Sequence, residues 1–369
     1  MRNRGLKPWF IAMFLVLSLF AAACAEEEGT DTGGDSGTEE EALPGEGMTA
    51  CQVTDTGGID DKSFNQTAYD GLLQAQEELG VEPKYLESQT PNDFEPNIQA
   101  FIDQGCDIII TVGFLLGDAT AKMAEANPDQ KFAIVDVDFF DSEKGEDVTY
   151  DNVKELTFQT DQAAFLAGYV AAAQSATGKL GTYGGINIPP VTIFMNGFVA
   201  GANYYNEQHG GNVEVLGWDT KKQDGLFTGD FENQDNGRNT TESLLDEGAD
   251  IIMPVAGPVG LGSAAALQDA GEGALVWVDT DGCVSASEYC SLFLTSVMKN
   301  MNVAVFDAVQ AAVEDAFEGG LYSGTLENGG VGIAPFHEFE DQIDDEIKTE
   351  LEEIQQQIIS GELNVQDYL

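Results

Sequence analysis

The chain has 369 residues, 43% of them hydrophobic, and its 65 acidic residues against 15 basic ones give a formal net charge of −50 at pH 7. This charge excludes nucleic acid as a natural partner, because phosphate groups are bound by basic surfaces, and it disfavours lying flat on anionic lipid. The hydrophobic content still allows large cores, and about 320 residues beyond the N-terminal region predict two domains.

Residues 1–23 have the pattern of a lipoprotein signal peptide. Three basic residues within the first seven precede an apolar run at 9–20, and small residues lead to Cys24. The run is shorter than the ~20 residues that a membrane-spanning helix needs. The junction resembles a bacterial lipobox, except that Ala21 stands where leucine is usual, and cleavage there would free Cys24 for lipid modification. The alternative is an ordinary signal peptide followed by an incidental cysteine.

Residues 24–47 form a predicted acidic tether. Positions 25–47 contain nine acidic residues and neither a basic nor an aromatic one, so the segment cannot offset its ordering entropy by apolar burial and should stay disordered. Such a spacer suits a protein that is lipid-anchored on the extracytoplasmic face of the cell membrane. Removal of the signal peptide leaves 12 basic and 65 acidic residues, a net charge of −53. A need for solubility and a salty habitat explain this acidity equally well.

Strands and helices alternate after the tether. A first domain is predicted with strands at 49–55, 83–88, 106–113, 131–139 and 148–153, and helices at 64–80, 94–105 and 117–126. A second is predicted with helices at 161–175, 191–209, 233–247 and 260–270, and strands at 179–185, 213–219, 249–257 and 274–282. This regular alternation, with apolar runs such as 106–113, favours two doubly wound parallel sheets.

Four cysteines remain besides Cys24. An even number outside the cytoplasm favours disulfides over metal ligation. Cys283 and Cys290 flank a six-residue loop, and Cys51 and Cys106 begin predicted strands, so they can meet if those strands are neighbours. His209 and His337 stand alone and no CxxC motif occurs, so neither a metal nor a cofactor is expected.

Polar residues gather where the predicted apolar strands stop. They are Asp55, Asp136, Asp219, Gly257 and Asp279. In open α/β sheets ligands bind outside the carboxyl ends of the strands. A single aspartate there is often only a helix N-cap, but the repetition across two sheets predicts a ligand cleft with polar walls.

The chain resembles the BMP (basic membrane protein) family of solute-binding lipoproteins, whose members include purine-nucleoside receptors. The matching segments, in order over nearly all of residues 50–360, are VTDTGGIDDKSFNQTAYDGL (53–72), AIVDVDF (133–139), QAAFLAGYVAA (162–172), PPVTIFMNGFVAGA (189–202), FTGDFENQDNGR (227–238), GADIIMPVAGPVGLG (248–262), VDTDG (278–282), LTSVMKNMNVAVFDAV (294–309) and GGVGIAPF (329–336). The DDKSFN loop before a helix is the most specific of them.

The resemblance implies a type I periplasmic-binding-protein fold, in which two Rossmann-like lobes are joined by three crossings. The crossings are expected near 155–160, 284–295 and 325–333, with helix 299–318 in the first lobe and helix 341–360 in the second. The first lobe would comprise 48–157 plus 296–328, and the second 158–290 plus 333–369. The implied function is that of a monomeric receptor that passes a nucleoside, expected to be a purine nucleoside, to an ABC permease; a pyrimidine nucleoside or another small polar molecule stays open as the ligand.

The ligand-binding residues can be assigned from chemistry together with the resemblance. Aromatic rings stack on a base, and Phe64 and Phe231 match the family positions that sandwich it. A carboxylate can accept hydrogen bonds from both ribose hydroxyls, which favours Asp279, while Lys299 would donate to a ribose oxygen. The remaining predicted ligand-binding residues are Asp55 and Asp136 for the base edge or sugar, Gly257 for close backbone approach, and Thr56, Asn65, Gly113 and Phe114.

Two choices between neighbouring aspartates stay open, because strand alternation does not separate residues two apart. Asp281 competes with Asp279, and Asp138 competes with Asp136. Two other functions also remain: a membrane-tethered sensor of the same fold, and an extracytoplasmic nucleoside hydrolase. The hydrolase is disfavoured because the chain lacks P-loop, GxSxG, HExxH and GxGxxG motifs, so the protein is not expected to be an enzyme.

We expect the mature protein to be anchored through Cys24. Replacing Cys24 with Ser removes the thiol that would carry the lipid, and should move the protein from the membrane pellet to the soluble extracytoplasmic fraction. Fractionation followed by immunoblotting measures this shift. A Cys24→Ser variant that still sediments with membranes after a salt wash would contradict the anchor.

Overall fold

The computed structural model describes residues 42–141 and 145–369. The predicted signal peptide, Cys24 and the tether up to residue 41 lie outside this part of the chain. Residues 42–47, expected to be tether, instead belong to the folded unit: the Gly45 amide donates to the carbonyl of Leu79 at 2.7 Å, and Gly45 is buried against Val81. Residues 42–44 themselves are exposed, so the segment is held to the folded unit through Gly45.

The first lobe begins with strands that alternate with helices. The strands are β1 Thr49–Thr54, β2 Glu82–Leu86, β3 Ile108–Val112, β4 Lys131–Val135, β5 Phe140–Asp141, β6 Glu146–Asp147 and β7 Val153–Phe158, and the helices are α1 Phe64–Leu79, α2 Phe94–Gln104 and α3 Gly117–Ala126. All five residues of β3 are buried, as expected for a strand covered by helices on both faces.

The second lobe repeats the pattern. Its elements are α4 Thr160–Gln174, β8 Lys179–Gly184, α5 Pro189–His209, β9 Glu214–Leu216, β10 Trp218–Asp219, β11 Asp224–Gly225, α6 Gln234–Asp246, β12 Ile251–Val255, α7 Gly260–Ala270, β13 Ala274–Asp279, α8 Gly282–Ser285 and β14 Phe293–Lys299. The remaining elements are α9 Met301–Val313, β15 Gly320–Gly324, β16 Val331–Ile333 and α10 Asp345–Ser360.

Two six-stranded sheets form the two lobes. The first has the order β15-β7-β4-β3-β1-β2 and is parallel throughout, and the second has the order β16-β14-β13-β12-β8-β9 with only β16 antiparallel. The chain therefore passes between the sheets after β7, after β14 and between β15 and β16. Helix α9 returns to pack on α1 of the first lobe, and α10 packs on α4 of the second.

The structure corrects two predicted boundaries. The strand expected at 148–153 is β7 at 153–158, because the polar run before Val153 cannot fill a buried strand, whereas Val153, Leu156 and Phe158 can. The crossing expected near 284–295 follows Lys299 instead, because β14 stays paired with β13 as far as Met298. The first-lobe segment predicted to start at 296 therefore starts after Lys299.

Helices α4 and α5 pack with their backbones in close approach. A Cβ atom on Gly168 would lie 2.1 Å from the carbonyl oxygen of Phe198, and one on Gly201 would lie 2.0 Å from that of Phe165. Only glycine fits at such contacts, which accounts for the small residues in the segments 162–172 and 189–202. None of the helices in the described residues is long and apolar enough to cross a membrane.

Two disulfides are present in the described part of the chain. Cys51 lies in β1, next to β3, and is bonded to Cys106, with 6.2 Å between their Cα atoms. Cys283 and Cys290 are bonded across their short loop, with 4.5 Å between Cα atoms. The bonded cysteines are separated by 55 and 7 residues respectively.

Removing the first disulfide should destabilise the protein more than removing the second. The loop-entropy model gives about 4 kcal/mol for the longer loop and about 2 kcal/mol for the shorter one. Urea unfolding of Cys51→Ala/Cys106→Ala and of Cys283→Ala/Cys290→Ala measures both free energies of unfolding. An equal or reversed order would show that loop closure does not govern their contributions.

Candidate functional site

A cleft lies between the carboxyl ends of the two sheets and holds about 600 Å³ of space, counting the part open to solvent. All residues predicted to bind the ligand line it except Asp281. They are Asp55, Thr56, Phe64, Asn65, Gly113, Phe114, Asp136, Phe231, Gly257, Asp279 and Lys299. Both sheets therefore contribute polar and aromatic side chains to one cleft.

Asp136 and Asp279 occupy equivalent positions in the two lobes. Asp136 follows β4 and Asp279 ends β13, and both have left-handed backbones, with φ of 66° and 70°. Non-glycine residues rarely adopt this conformation, which is concentrated at functional sites. The turn directs both carboxylates into the cleft, whereas Asp138 is exposed outside it.

Asp281 lies outside the cleft, contrary to its predicted place among the ligand-binding residues. Its carboxylate caps α8 through the amide of Cys283 at 2.9 Å and contacts Nε2 of His337 at 2.8 Å. The sulfur of Cys283 is bonded to Cys290, so Cys283 cannot supply a thiolate ligand to this cluster. Asp219 also lies outside the cleft and pairs with Lys222 at 2.7 Å.

Lys299 places a buried ammonium group in the cleft, with only 2% of its side chain exposed. Its Nζ lies 2.6 Å from Oδ2 of Asp136 and 4.0 Å from Oδ1 of Asp279. Burial raises the pKa of both carboxyls, and the ammonium opposes that rise. Three aromatic rings surround the same nitrogen, with 4.9, 5.6 and 5.6 Å from Nζ to the ring centres of Phe64, Phe158 and Phe194.

Asp61 is a cleft residue that the sequence prediction missed. Its carboxylate accepts hydrogen bonds from the amides of Ser63, Asn65 and Gln66 at 3.0, 2.7 and 3.1 Å. It therefore satisfies the free amides at the start of α1 and fixes the loop that carries Phe64. An aspartate two residues before a serine and a helix is a recognisable turn signal, so the DDKSFN motif contained this information.

Asp55 and Asn65 form a buried polar pair beside Asp61. The Asn65 amide nitrogen donates to Asp55 Oδ1 at 2.9 Å and to Asp61 Oδ2 at 3.2 Å, which leaves its buried Oδ1 without a partner among the described residues. Burial raises the pKa of Asp55 to about 8, opposed by the Asn65 hydrogen bond and assisted by neighbouring carboxylates, and burial raises the pKa of Asp61 to about 6.

Two glycines allow cleft side chains to approach the backbone. A Cβ atom on Gly113, which has φ of 113°, would lie 2.5 Å from Oδ2 of Asp55, and one on Gly185 would lie 2.2 Å from the ring of Phe231. Both residues must therefore lack side chains for the carboxylate and the ring to hold their positions.

An apolar wall completes the cleft, and the sequence prediction missed it. Its members are Leu115, Ile188, Pro190, Val191, Phe194, Val255, Ala256, Pro258 and Val278. Such residues are read as ordinary core from sequence, since nothing in their pattern distinguishes a cleft wall. The cleft thus combines flat apolar surfaces with four carboxyl groups and one ammonium, a set that suits a ligand with a ring and several hydroxyl or amine donors.

We expect Asp55 to make stability depend on pH. Because its pKa is about 8 in the native protein and 3.8 ordinarily, the native state binds more protons than the unfolded chain, and its stability falls as the pH rises between these values. One pKa unit is worth about 1.4 kcal/mol, so even part of this shift lowers the free energy of unfolding by about 2 kcal/mol between pH 5 and pH 8.5.

The Asp55→Asn variant should lose less stability than wild type between the two pH values, because an amide does not ionise and only the other buried carboxyls still titrate. Urea unfolding at the two pH values measures the effect, and Asp60→Asn, at an exposed position in the same loop, is the matched control. Parallel pH profiles for wild type and Asp55→Asn would contradict burial as the cause.

Comparison of the whole chain with known proteins relates it to a family. Residues 48–368 match the family model Bmp, described as ABC transporter substrate-binding protein PnrA-like. The chain is 29% identical to the ABC transporter nucleoside-binding protein BmpA of Lactococcus lactis subsp. cremoris, with 99% of each chain covered. It is 30% identical to an uncharacterized lipoprotein of Pyrococcus abyssi, with 90% of this chain and 77% of that protein covered.

Solved structures agree with this relationship. The crystal structure of an ABC transporter solute-binding protein from Aeropyrum pernix K1 superimposes with a TM-score of 0.76 at 28% identity, covering 86% of this chain and 92% of that one. The fold is accordingly the type I fold of periplasmic solute-binding proteins. The chain belongs to the Bmp family of PnrA-like ABC-transporter substrate-binding proteins.

Proposed function

We propose that this protein is a monomeric, extracytoplasmic receptor that is lipid-anchored through Cys24, binds a nucleoside in the cleft and delivers it to an ABC permease. The observation that best supports this proposal is that each lobe contributes an aromatic ring to one cleft, and that a cluster of carboxylates and one ammonium group lies between the lobes. Family membership supports the transport role, and the naming of the Lactococcus relative as a nucleoside-binding protein supports the ligand class.

The base would lie between Phe64 and Phe231. Phe64 begins α1 of the first lobe, and Phe231 precedes α6 of the second and packs on Gly185. Both are partly buried and line the cleft, so both rings can contact a ligand there. Stacking on an aromatic ring is worth roughly 1–3 kcal/mol per base and needs no particular base.

The ribose would lie beside Lys299. Oδ1 of Asp279 is 4.0 Å from the ammonium nitrogen, and the other oxygen is already hydrogen-bonded to Ser63 at 2.7 Å. One carboxylate oxygen and one ammonium can therefore meet vicinal hydroxyls as acceptor and donor. Asn65 adds a buried acceptor that is oriented by two carboxyl groups, which suits a donor on the base.

The charge of the cleft favours a nucleoside over a nucleotide. Four carboxyl groups, those of Asp55, Asp61, Asp136 and Asp279, face a single lysine among the lining residues. A phosphate would bring further negative charge into a buried acidic site, where like charges repel strongly.

Calorimetry with adenosine, inosine, cytidine and their 2′-deoxy forms tests the assignment. Phe64→Ala and Phe231→Ala should each weaken binding by roughly 1–3 kcal/mol through lost stacking, for ribosides and deoxyribosides alike. Asp279→Ala should weaken the binding of ribosides by at least as much, since hydrogen bonds to charged groups are worth about 1.5–3 kcal/mol. It should also reduce the difference in binding free energy between ribosides and deoxyribosides.

Matched controls lie outside the cleft. Phe140→Ala removes an exposed ring and Asp281→Ala removes the neighbouring carboxylate, so both should bind as wild type does, while a nucleoside 5′-monophosphate should bind far more weakly than its nucleoside. If the wild-type protein, freed of co-purified ligand, binds none of the panel, the nucleoside assignment is wrong.

A further inference from the structure

Two polar contacts join the lobes across the cleft in a reciprocal way. Asp136 of the first lobe contacts Lys299, which ends a strand of the second, at 2.6 Å. Asp279 of the second lobe accepts a hydrogen bond from Ser63 of the first at 2.7 Å. Each left-handed aspartate thus binds a side chain from the opposite sheet. Lys299 borders a crossing between the lobes, whereas Ser63 lies on the loop before α1.

Ser63 stands at the N-cap position of α1 but does not cap the helix. Serine there usually accepts a hydrogen bond from a helix amide, yet the Ser63 side chain makes no such bond. Asp61 satisfies the amides at the start of the helix instead. The hydroxyl of Ser63 is therefore released from the usual local role of an N-cap serine.

The released hydroxyl reaches only the second lobe. Ser63 is fully buried, and its hydroxyl lies 2.7 Å from Oδ2 of Asp279 and 3.3 Å from the carbonyl oxygen of Val278. Both acceptors belong to β13, so either hydrogen bond bridges the cleft. The backbone of Ser63 is held in the first lobe by Asp61 and by the amide of Thr67, each at 3.0 Å.

We propose that Ser63 is a positioning residue that fastens the two lobes in the closed arrangement and orients Asp279 for the ligand. With Oδ2 bound to Ser63, Oδ1 is left to face Lys299 and the cleft. Opening the cleft would break this hydrogen bond and free the carboxylate to rotate, so the closed arrangement and the oriented carboxylate form together. The proposal rests on the cleft being the binding site but not on the ligand being a nucleoside.

The closed arrangement should therefore be populated without ligand, because the bond joins two protein groups. Double electron–electron resonance between nitroxide amino acids at the exposed helix positions Glu77 and Glu242 reports the distance between lobes and leaves the four bonded cysteines intact. Wild type without ligand should show a short-distance population. Ser63→Ala should lower the closed-to-open ratio about tenfold, as expected for loss of a hydrogen bond to a charged group.

Thr67→Val is the matched control. Its hydroxyl is bonded to the carbonyl of Ser63 within the first lobe, so its removal should leave the distance distribution unchanged. Because Asp61 keeps capping the helix, Ser63→Ala should retain the wild-type melting temperature to within a few degrees. Asp279→Ala, which removes the main acceptor, should shift the distribution in the same direction as Ser63→Ala.

The kinetics of ligand release give a second readout. With adenosine as the probe, Ser63→Ala should dissociate about tenfold faster while the association rate changes less than threefold. Three outcomes would overturn the proposal. The short-distance population is absent from wild type, it is unchanged in Ser63→Ala, or it is reduced equally in Thr67→Val. If the distances shift as expected but no nucleoside binds to wild type, the positioning role stands and the proposed ligand fails.

Discussion

The buried ammonium group of Lys299 is the constraint on which the cleft depends. A buried charge without a partner is strongly unfavourable, and with 2% of the side chain exposed Lys299 cannot turn to water. Asp136 must therefore reach it, which requires the left-handed turn after β4. Since Lys299 also ends β14 and borders a crossing between the lobes, this pair acts with the Ser63–Asp279 hydrogen bond to hold the edges of the two sheets together.

The carboxyl groups of the protein behave differently on its surface and in its cleft. Surface carboxylates are solvated and have little effect on one another at physiological salt. Cleft carboxyls lose water, so burial raises the pKa of Asp55 to about 8 and that of Asp61 to about 6. A protonated Asp55 can donate as well as accept, so the cleft offers more varied hydrogen bonding than four ionised carboxylates would.

The alternation of strands and helices was predictable because apolar runs and glycine-rich turns are local signals, and the carboxyl ends of the strands located the cleft. The choice between Asp279 and Asp281 was not, because residues two apart lie on the same face of a strand. The structure separates them where the strand ends: Asp279 turns into the cleft with positive φ, and Asp281 caps the next helix. Phe194 and Val191 escaped prediction since a cleft wall has the composition of a core.

The reciprocal arrangement of Asp136 and Asp279 has an energetic consequence. Each carboxylate finds its partner in the opposite lobe, so neither lobe alone can satisfy its own buried polar groups. When the lobes separate, the hydrogen bond from Ser63 breaks and water solvates the carboxylate of Asp279. When they close, protein donors and the ligand replace that water. Because the same carboxylate is shared by closure and binding, the two are coupled through one side chain, and no separate signal between the cleft and the lobes is needed.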